Sequence, residues 1–342
     1  MNGAPGRVTI RDVALSAGVS RQTVSNALIH PERVKPPTLA KVRAVIDELG
    51  YRPSNAAQTL RSRRTGAVGV ELNATGAASR NAVAFPFVLS LSALAPSHGS
   101  HIVTFGTHDE RPLLSGYQDM VRGQLVDAFI IADTHPGDPR PAWLEEAGVP
   151  FAAFGRFWGR DELTVWADVD GGRGMEDVAT HLVAAGYPRI GLLGWPAGSA
   201  VGDDRRRGWE RGLAAAGVEP GPTAESVQEL TDAVAAAHAL LDEVGRGGAI
   251  ACVSDLLALG VERAAAERGW QPGTDLGVTG FDNSPLAELA GLTSVAQPLE
   301  EIADVLLGIV HDALSGKEPP TRGELIEPTL VPRTSSTRVR TG

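Results

Sequence analysis

The 342-residue sequence holds one cysteine, Cys252, three methionines and three tyrosines, and only 5% of it is aromatic. A single cysteine excludes a disulfide framework and suits a reducing compartment. The eight histidines fall in no H-x-x-x-H or Cys/His spacing, so no zinc site is indicated. No run of 18 apolar residues occurs and no apolar h-region follows the first residues. Neither membrane spanning nor export is indicated, and a cytoplasmic location is expected. A nucleophile with its base is lacking too. Gly198-Ser199-Ala-Val-Gly202 is one residue off the G-x-S-x-G elbow, and Cys252 lies in an apolar strand pattern where a thiol is usually inert. Asp168-x-Asp170 and Asp203-Asp204 are acidic pairs of the kind that stay solvated or pair with arginine more often than they hold a cation. The expectation is a protein that is no enzyme and uses no cofactor and no metal.

What is present is unevenly spread. Hydrophobic residues make up 43% and charged residues 21%, a globular balance, and the length allows more than one domain. The net charge is −10, yet residues 1–65 carry 11 Lys and Arg against 4 Asp and Glu, while the remainder carries 20 against 37. A basic head on an acidic body is what a DNA-reading segment joined to a different module shows.

The basic head opens with Val8-Thr-Ile-Arg-Asp-Val-Ala-Leu-Ser-Ala-Gly-Val-Ser-Arg-Gln-Thr-Val-Ser-Asn-Ala-Leu28. Thr9 with Asp12 three residues on has the form of a capping box. Ile10, Val13, Ala14 and Ala17 fall on one helical face, and Gly18 supplies the turn. Ser20 caps a second helix whose apolar face is expected to be Val24, Ala27 and Leu28, with Arg21, Gln22, Ser25 and Asn26 outward. Two helices joined by a tight glycine turn form a helix-turn-helix, whose second helix can enter a major groove. Arg21 and Gln22 stand at its N-terminal end, where Arg suits guanine and Gln suits adenine. Pro36-Pro37 starts a third helix ending near Gly50, with Leu39, Val42, Val45, Ile46 and Leu49 as its core stripe.

The stretch from Val8 to Ser25 resembles the opening of the lactose/galactose-repressor (LacI/GalR) family, V-T-[IL]-x-D-V-A-x-x-A-G-V-S-x-x-T-V-S, at every fixed position. The resemblance implies a set of DNA-facing residues: Thr9, Arg21, Gln22, Thr23, Ser25 and Asn26. It continues at Tyr51-x-Pro53-Ser54-x-x-Ala57-x-x-Leu60, similar to the family's hinge helix, with Ser54 where Asn is usual. There Asn55, Ala57 and Leu60 would meet the minor groove, Leu60 as the wedge that opens a base step. A helix this short is marginal alone, so it is expected to order on DNA beside its dimer mate.

From Thr65 the texture becomes strands alternating with helices. Apolar strands are expected at 66–72, 102–105, 128–131, 151–154 and 165–167, then at 189–193, 249–253 and 276–280. Such alternation implies parallel sheets covered on both faces, with ligands beyond the carboxyl ends of the strands. Two series imply two doubly wound subdomains, and the family's core is periplasmic-binding-protein-like. The fold expected is therefore an N-terminal all-α helix-turn-helix head with a hinge helix, then an α/β core of two parallel-sheet subdomains. The boundaries read as 1–52 for the head, 53–65 for the hinge and 66–342 for the core. Within the core, subdomain 1 takes about 66–168 and 296–325, and subdomain 2 about 169–295 and 326–342.

Arg205-x-x-Gly208-Trp209 matches the family's R-x-x-G-[FW], and Gly280-Phe281-Asp282 its G-[FY]-D. By that resemblance Arg205 and Asp282 reach the effector. A guanidinium fork facing a carboxylate suits a polyol, one donating a pair of hydrogen bonds and the other accepting a pair. Asp255 falls in the family's [ND]-D motif with Ser254 in place of an amide or acid, and Asp170 matches its V-D-N acid with Gly171 in place of Asn. Trp195 and Phe87, with Phe85 and Trp158, are candidates for an aromatic wall against a sugar ring. A C-terminal heptad tail is lacking, so a homodimer on a pseudo-palindromic operator is expected. The resemblance thus implies a transcriptional regulator, a repressor by preference, answering to a carbohydrate; a nucleoside or purine is the alternative effector. A solute-binding protein with no DNA role would share the core but not the basic head.

Overall fold

The computed structural model describes residues 8–51, 64–72, 82–106 and 112–338. The chain forms two compact units, residues 1–65 and 66–342. The first contains α1 (Ile10–Ala17), α2 (Arg21–Ile29) and α3 (Pro36–Leu49). Thr9 donates from its backbone N and its Oγ1 to Asp12 Oδ2 at 2.8 and 2.7 Å, and these bonds hold the Asp12 carboxyl below the usual carboxylate range. Gly18 takes φ 63° and ψ 38°, a left-handed conformation that turns α1 into α2. The Ser20 side chain accepts from Thr23 N at 3.1 Å, opening α2. Val13, Ala14, Ala17, Val24, Ala27, Val42 and Val45 close the small core.

Two expectations in this unit are corrected. Leu28 is 38% exposed and does not belong to the core stripe. Ser25 is only 5% exposed, turned inward between Val24 and Ala27 as the helical period demands, so it presents no outward face to DNA. Asn55, Ala57 and Leu60, expected in the hinge, lie outside the described residues.

The second unit holds two six-stranded sheets. One comprises β1 (Ala67–Glu71), β2 (His101–Phe105), β3 (Ala128–Ala132), β4 (Phe151–Phe154), β5 (Trp166–Val169) and β11 (Glu324–Ile326), in the order β11-β5-β4-β3-β1-β2 and all parallel. The other comprises β6 (Ile190–Gly194), β7 (Thr223–Glu225), β8 (Ala249–Cys252), β9 (Gly277–Asp282), β10 (Thr293–Ala296) and β12 (Thr329–Val331), in the order β12-β10-β9-β8-β6-β7. Its edge strand β12 pairs antiparallel with β10, the one departure from parallel pairing among the described strands. The chain passes between the sheets after β5, after β10 and after β11. Two edge strands, β7 and β11, stand where the sequence gives no strand pattern: each is only three residues long, too short to show an alternation.

Helices cover both faces, as parallel strands buried on two sides require. On the first sheet α4 (Ala84–Leu94), α5 (Ser115–Arg122) and α6 (Pro139–Glu146) alternate with the strands. On the second the series is α7 (Gly171–Ala184), α8 (Ala200–Ala215), α9 (Leu230–Val244), α10 (Asp255–Glu267) and α11 (Pro285–Ala290). The last helix, α12 (Leu299–Leu314), returns to the first sheet with Ile302, Ala303, Leu306, Leu307 and Val310 inward. Among the described residues no helix is long and apolar enough to cross a membrane.

The contact between α7 and α8 positions the site. A Cβ on Gly208 would lie 2.0 Å from Gly172 O, and one on Gly212 would lie 2.7 Å from Glu176 O. Only glycine permits this backbone approach. Trp209, fully buried, anchors the same turn in the core. The spacing R-x-x-G-W thereby has a physical content: the glycine lets α8 lie on α7, the tryptophan fixes its rotation, and Arg205 one turn earlier is carried to the strand ends.

Candidate effector cleft

Side chains at or just past the carboxyl ends of β4, β5, β6, β8, β9 and β10, the last four of them neighbours in the second sheet, converge beside the second turn of α8. Arg205 is 4% exposed. Its guanidinium lies 3.6 Å from the Phe281 ring centroid and 5.2 Å from that of Trp195, so both aromatic groups cover it. Arg205 Nη1 donates to Val253 O at the end of β8. Arg205 Nε is buried and finds no acceptor among the described residues. The nearest carboxylate oxygen, Asp282 Oδ1, stands 3.9 Å from Nη1, an ion pair without a hydrogen bond.

Asp282 ends β9 at φ 112°, and Asn283 follows at φ 50°. Two successive non-glycine residues at positive φ are strained, and the surroundings hold them there. Gln297 Nε2 donates to Asp282 Oδ1 at 2.7 Å, and Asn283 N donates to Ser294 Oγ at 2.9 Å. Burial pushes the Asp282 carboxyl up to about 7; the Arg205 charge pulls it down, the Asp255 charge raises it and the Gln297 bond lowers it. Burial likewise pushes Arg205 below its ordinary value, against the attraction of Asp282, Asp168, Asp204 and Asp255. Ser284, not Asp282, caps α11, accepting from Ala287 N at 3.3 Å. Asp282 therefore has no capping duty.

The other expected residues fall differently. Asp255 is 2% exposed and both its oxygens are used, Oδ2 by Ser284 N at 2.6 Å and Oδ1 by Ser294 Oγ at 2.5 Å. It pins the strained loop behind Asp282. Ser254 is fully buried; it caps α10 and donates to Gln228 Oε1 at 2.9 Å. Asp170 caps α7 by accepting from Arg173 N at 2.8 Å, beside the half-buried opening of that helix. Trp195 is half-buried, its Nε1 donating to Gln228 Oε1 at 2.7 Å, which fixes the indole edge. Phe87 is a correction: it is 2% exposed and packs 4.6 Å from Phe154 inside the first subdomain's core, so it forms no wall. Phe85, one turn-face away on α4, is 68% exposed.

Sequence reasoning missed Gln297, Gln228 and Arg156. Arg156, after β4, donates from Nε to Asp168 Oδ2 at 3.1 Å and from Nη2 to Asp204 Oδ2 at 2.7 Å. The two acidic pairs noted in the sequence thus each give one member to the same arginine. Gln297 had a signal, as the last residue before Pro298 at a strand's carboxyl end; Gln228 had none.

In the head, Arg21 and Gln22 are exposed and Asn26 is half-buried, with Gln22 Nε2 donating to Asn26 Oδ1 at 3.0 Å. Thr9 is exposed, and Thr23 Oγ1 is engaged with Ser20 Oγ at 2.9 Å.

A helix-turn-helix unit followed by a two-sheet ligand-binding core defines a ligand-controlled DNA-binding regulator, and the comparisons agree. Residues 9–54 match the model of bacterial regulatory proteins of the lacI family, and residues 179–336 match the periplasmic binding protein-like domain. The HTH-type transcriptional regulator CelR of Thermobifida fusca is 33% identical over 340 residues, 96% of this chain and 98% of that protein. The chain belongs to the LacI family of DNA-binding transcriptional regulators. A solved structure described as a transcriptional regulator CelR–cellobiose complex aligns at TM-score 0.69 and 28% identity, over 96% of this chain and all of that one. The lac repressor dimer bound to operator and the anti-inducer ONPF aligns at TM-score 0.74 and 26% identity, over 97% and 99%.

Proposed function

We propose that this regulator binds a carbohydrate between the two subdomains and that Arg205 and Asp282 are its central contacts. The observation that carries the reading is the buried Arg205 Nε, without an acceptor among the described residues, on a guanidinium whose Nη1 stands 3.9 Å from Asp282 Oδ1. Buried donors in native proteins are nearly always paired, so an orphan at a strand-end cleft points to an outside acceptor. A sugar's adjacent hydroxyls supply one, accepting from the guanidinium while donating to Asp282. Trp195, with its edge fixed by Gln228, offers a partly exposed ring for C–H contact. The relative described as a cellobiose complex makes a β-linked glucose disaccharide the first ligand to try. A nucleoside or purine has no comparable support here. The exposed Arg21, Gln22 and half-buried Asn26 are proposed to read base edges, each good bidentate pair contributing about 1–3 kcal/mol of discrimination.

The division of labour follows: residues 1–52 read DNA, 53–65 join, and 66–342 bind effector and form the homodimer that faces a two-fold operator. The protein acts by binding and not by catalysis, in the cytoplasm. The experiment selects an operator from a random duplex pool, then titrates cellobiose into the protein–operator complex. Operator affinity should change by about 5–150-fold in the parent and not at all in Arg205→Ala or Asp282→Ala. A parent that binds no sugar by calorimetry, or variants that respond at parental concentrations, would overturn it.

A further inference from the structure

The second turn of α8 carries two adjacent side chains, Asp204 and Arg205, that reach different partners. Arg205 turns into the second subdomain's strand ends, while Asp204 turns toward the first subdomain. There Arg156 joins one carboxylate from each side: Nη2 to Asp204 of the second subdomain at 2.7 Å, and Nε to Asp168 of the first at 3.1 Å. The side chains of Arg156, Asp168 and Asp204 are 22%, 9% and 15% exposed, so this is no screened surface pair.

Arg156 is also firmly aimed. Thr134 Oγ1 donates to its backbone oxygen at 2.8 Å, and the guanidinium lies 4.4 Å from the Trp158 ring centroid. The preceding Gly155 sits at φ 111°, where a Cβ would meet Thr134 Oγ1 at 2.8 Å, so the approach of this loop depends on glycine. On the other side, Ser199 caps α8 by accepting from Gly202 N, and the glycine contact with α7 makes its first turns one rigid piece. A ligand that shifts Arg205 therefore shifts Asp204 with it.

We propose that the Arg156–Asp204 ion pair is the interdomain pin through which the state of the cleft passes from the second subdomain to the first. Arg156 is a positioning residue: it needs no contact with effector, and it sets how the two subdomains are held relative to one another. The inference rests on the reading of Arg205 given above, but its test needs no effector.

Spin labels are placed on the full chain at Glu146→Cys on α6 and Glu219→Cys after α8; both positions are exposed and the native Cys252 is fully buried. Pulsed dipolar spectroscopy then reads the distance between subdomains. The parent should give one dominant distance. Arg156→Gln and Asp204→Asn should each raise the population of a second distance by about fivefold or more. The double variant should go no further than either single one, because the two residues share one contact. Arg156→Lys, which has no fork to span two carboxylates, should fall between. Asp168→Asn leaves the subdomains joined and should shift the distance less than Asp204→Asn. An unchanged distribution in Arg156→Gln and Asp204→Asn, with parental circular dichroism and melting, would overturn the proposal. So would additive shifts in the double variant, or a larger shift from Asp168→Asn. Parallel calorimetry with cellobiose separates the two readings: absence of binding sinks the effector assignment and leaves the spin-label result standing.

Discussion

The two subdomains repeat one architecture, and each buries one arginine near its strand ends, yet the two arginines live in opposite circumstances. Arg140, 5% exposed in the first subdomain, has every nitrogen in use. Its Nε meets both oxygens of Asp138 at 3.0 and 3.1 Å, and its Nη2 reaches Asp138 Oδ2, Ala132 O and Asp133 O. Its Nη1 meets Glu71 Oε2 at 3.2 Å, an oxygen that also accepts from Tyr117 OH at 2.9 Å. Burial pushes Arg140 down, but the Asp138 bonds and neighbouring charges more than reverse it. Arg205, equally buried, keeps one bond, to Val253 O, and burial wins. A satisfied buried charge fastens its own fold; the unsatisfied one leaves the donor that the proposed effector reading uses.

The sharpest way to break that comparison is to remove both charges. Arg140→Leu strands Asp138 and Glu71 in the interior and should destabilise the core by about 3–5 kcal/mol in urea melts. Arg205→Met keeps volume and leaves only Asp282, which can take up a proton, so its cost should stay within about 1 kcal/mol. Equal losses would show that Arg205 is as structural as Arg140.

The next effect is smaller and concerns how Arg205 is delivered. Gly208→Ala drives a methyl into Gly172 O and should cost about 1–3 kcal/mol by forcing α7 and α8 apart. Sugar affinity should fall with it, since Arg205 rides on the same helix. Gly308→Ala is the control: the position lies inside α12 with nothing within 4 Å of an added Cβ. It should stabilise by up to about 1 kcal/mol. A neutral Gly208→Ala would mean that the helix contact does not place the arginine.

The difference between the subdomains was only half visible in the sequence. The helix-turn-helix is local, written in a capping residue, an apolar period and one glycine, and so could be read directly. Arg205 and Asp282 were singled out by the family's R-x-x-G-[FW] and G-[FY]-D spacings, and the structure brings the two side chains within 3.9 Å. The partners that decide their chemistry were not: Asp204 and Arg156 are 48 residues apart, and Gln297 meets Asp282 across a strand pair. The Arg140 network escaped for the same reason, with Glu71 and Arg140 separated by 69 residues. Phe87 was misread because α4, Ala-Phe-Pro-Phe-Val-Leu-Ser-Leu-Ser-Ala-Leu, is apolar nearly all round and shows no buried face. Ser25 failed in the opposite sense, a small polar residue on an inward face. Short polar edge strands such as Thr223–Glu225 exist only because a neighbouring strand offers them hydrogen bonds.

The smallest expected effect is also the one that isolates a single carboxyl of the cleft. Burial, opposed by Arg205, lifts Asp282 from 3.8 to about 7. Between those values the native core holds a proton that the unfolded chain has released, so stability falls as pH rises through the interval. The contribution is full below the unfolded value and gone once the pH passes about 7. Asp168 and Asp255 are raised by burial as well, and Glu262 to about 7, parts of the same sign, while burial lowers His181 and adds a part of opposite sign. The difference between parent and Asp282→Asn removes the others. Melting temperature is followed from about pH 5 to about pH 8. The parent should lose more than the variant over that span, with the difference centred near neutrality. In the head the sign is reversed: the Thr9 bonds hold Asp12 low, so its part is lost as pH falls through the acid range. Parallel parent and Asp282→Asn curves would mean that Asp282 is already ionised in the folded core, and that the Arg205 charge outweighs burial.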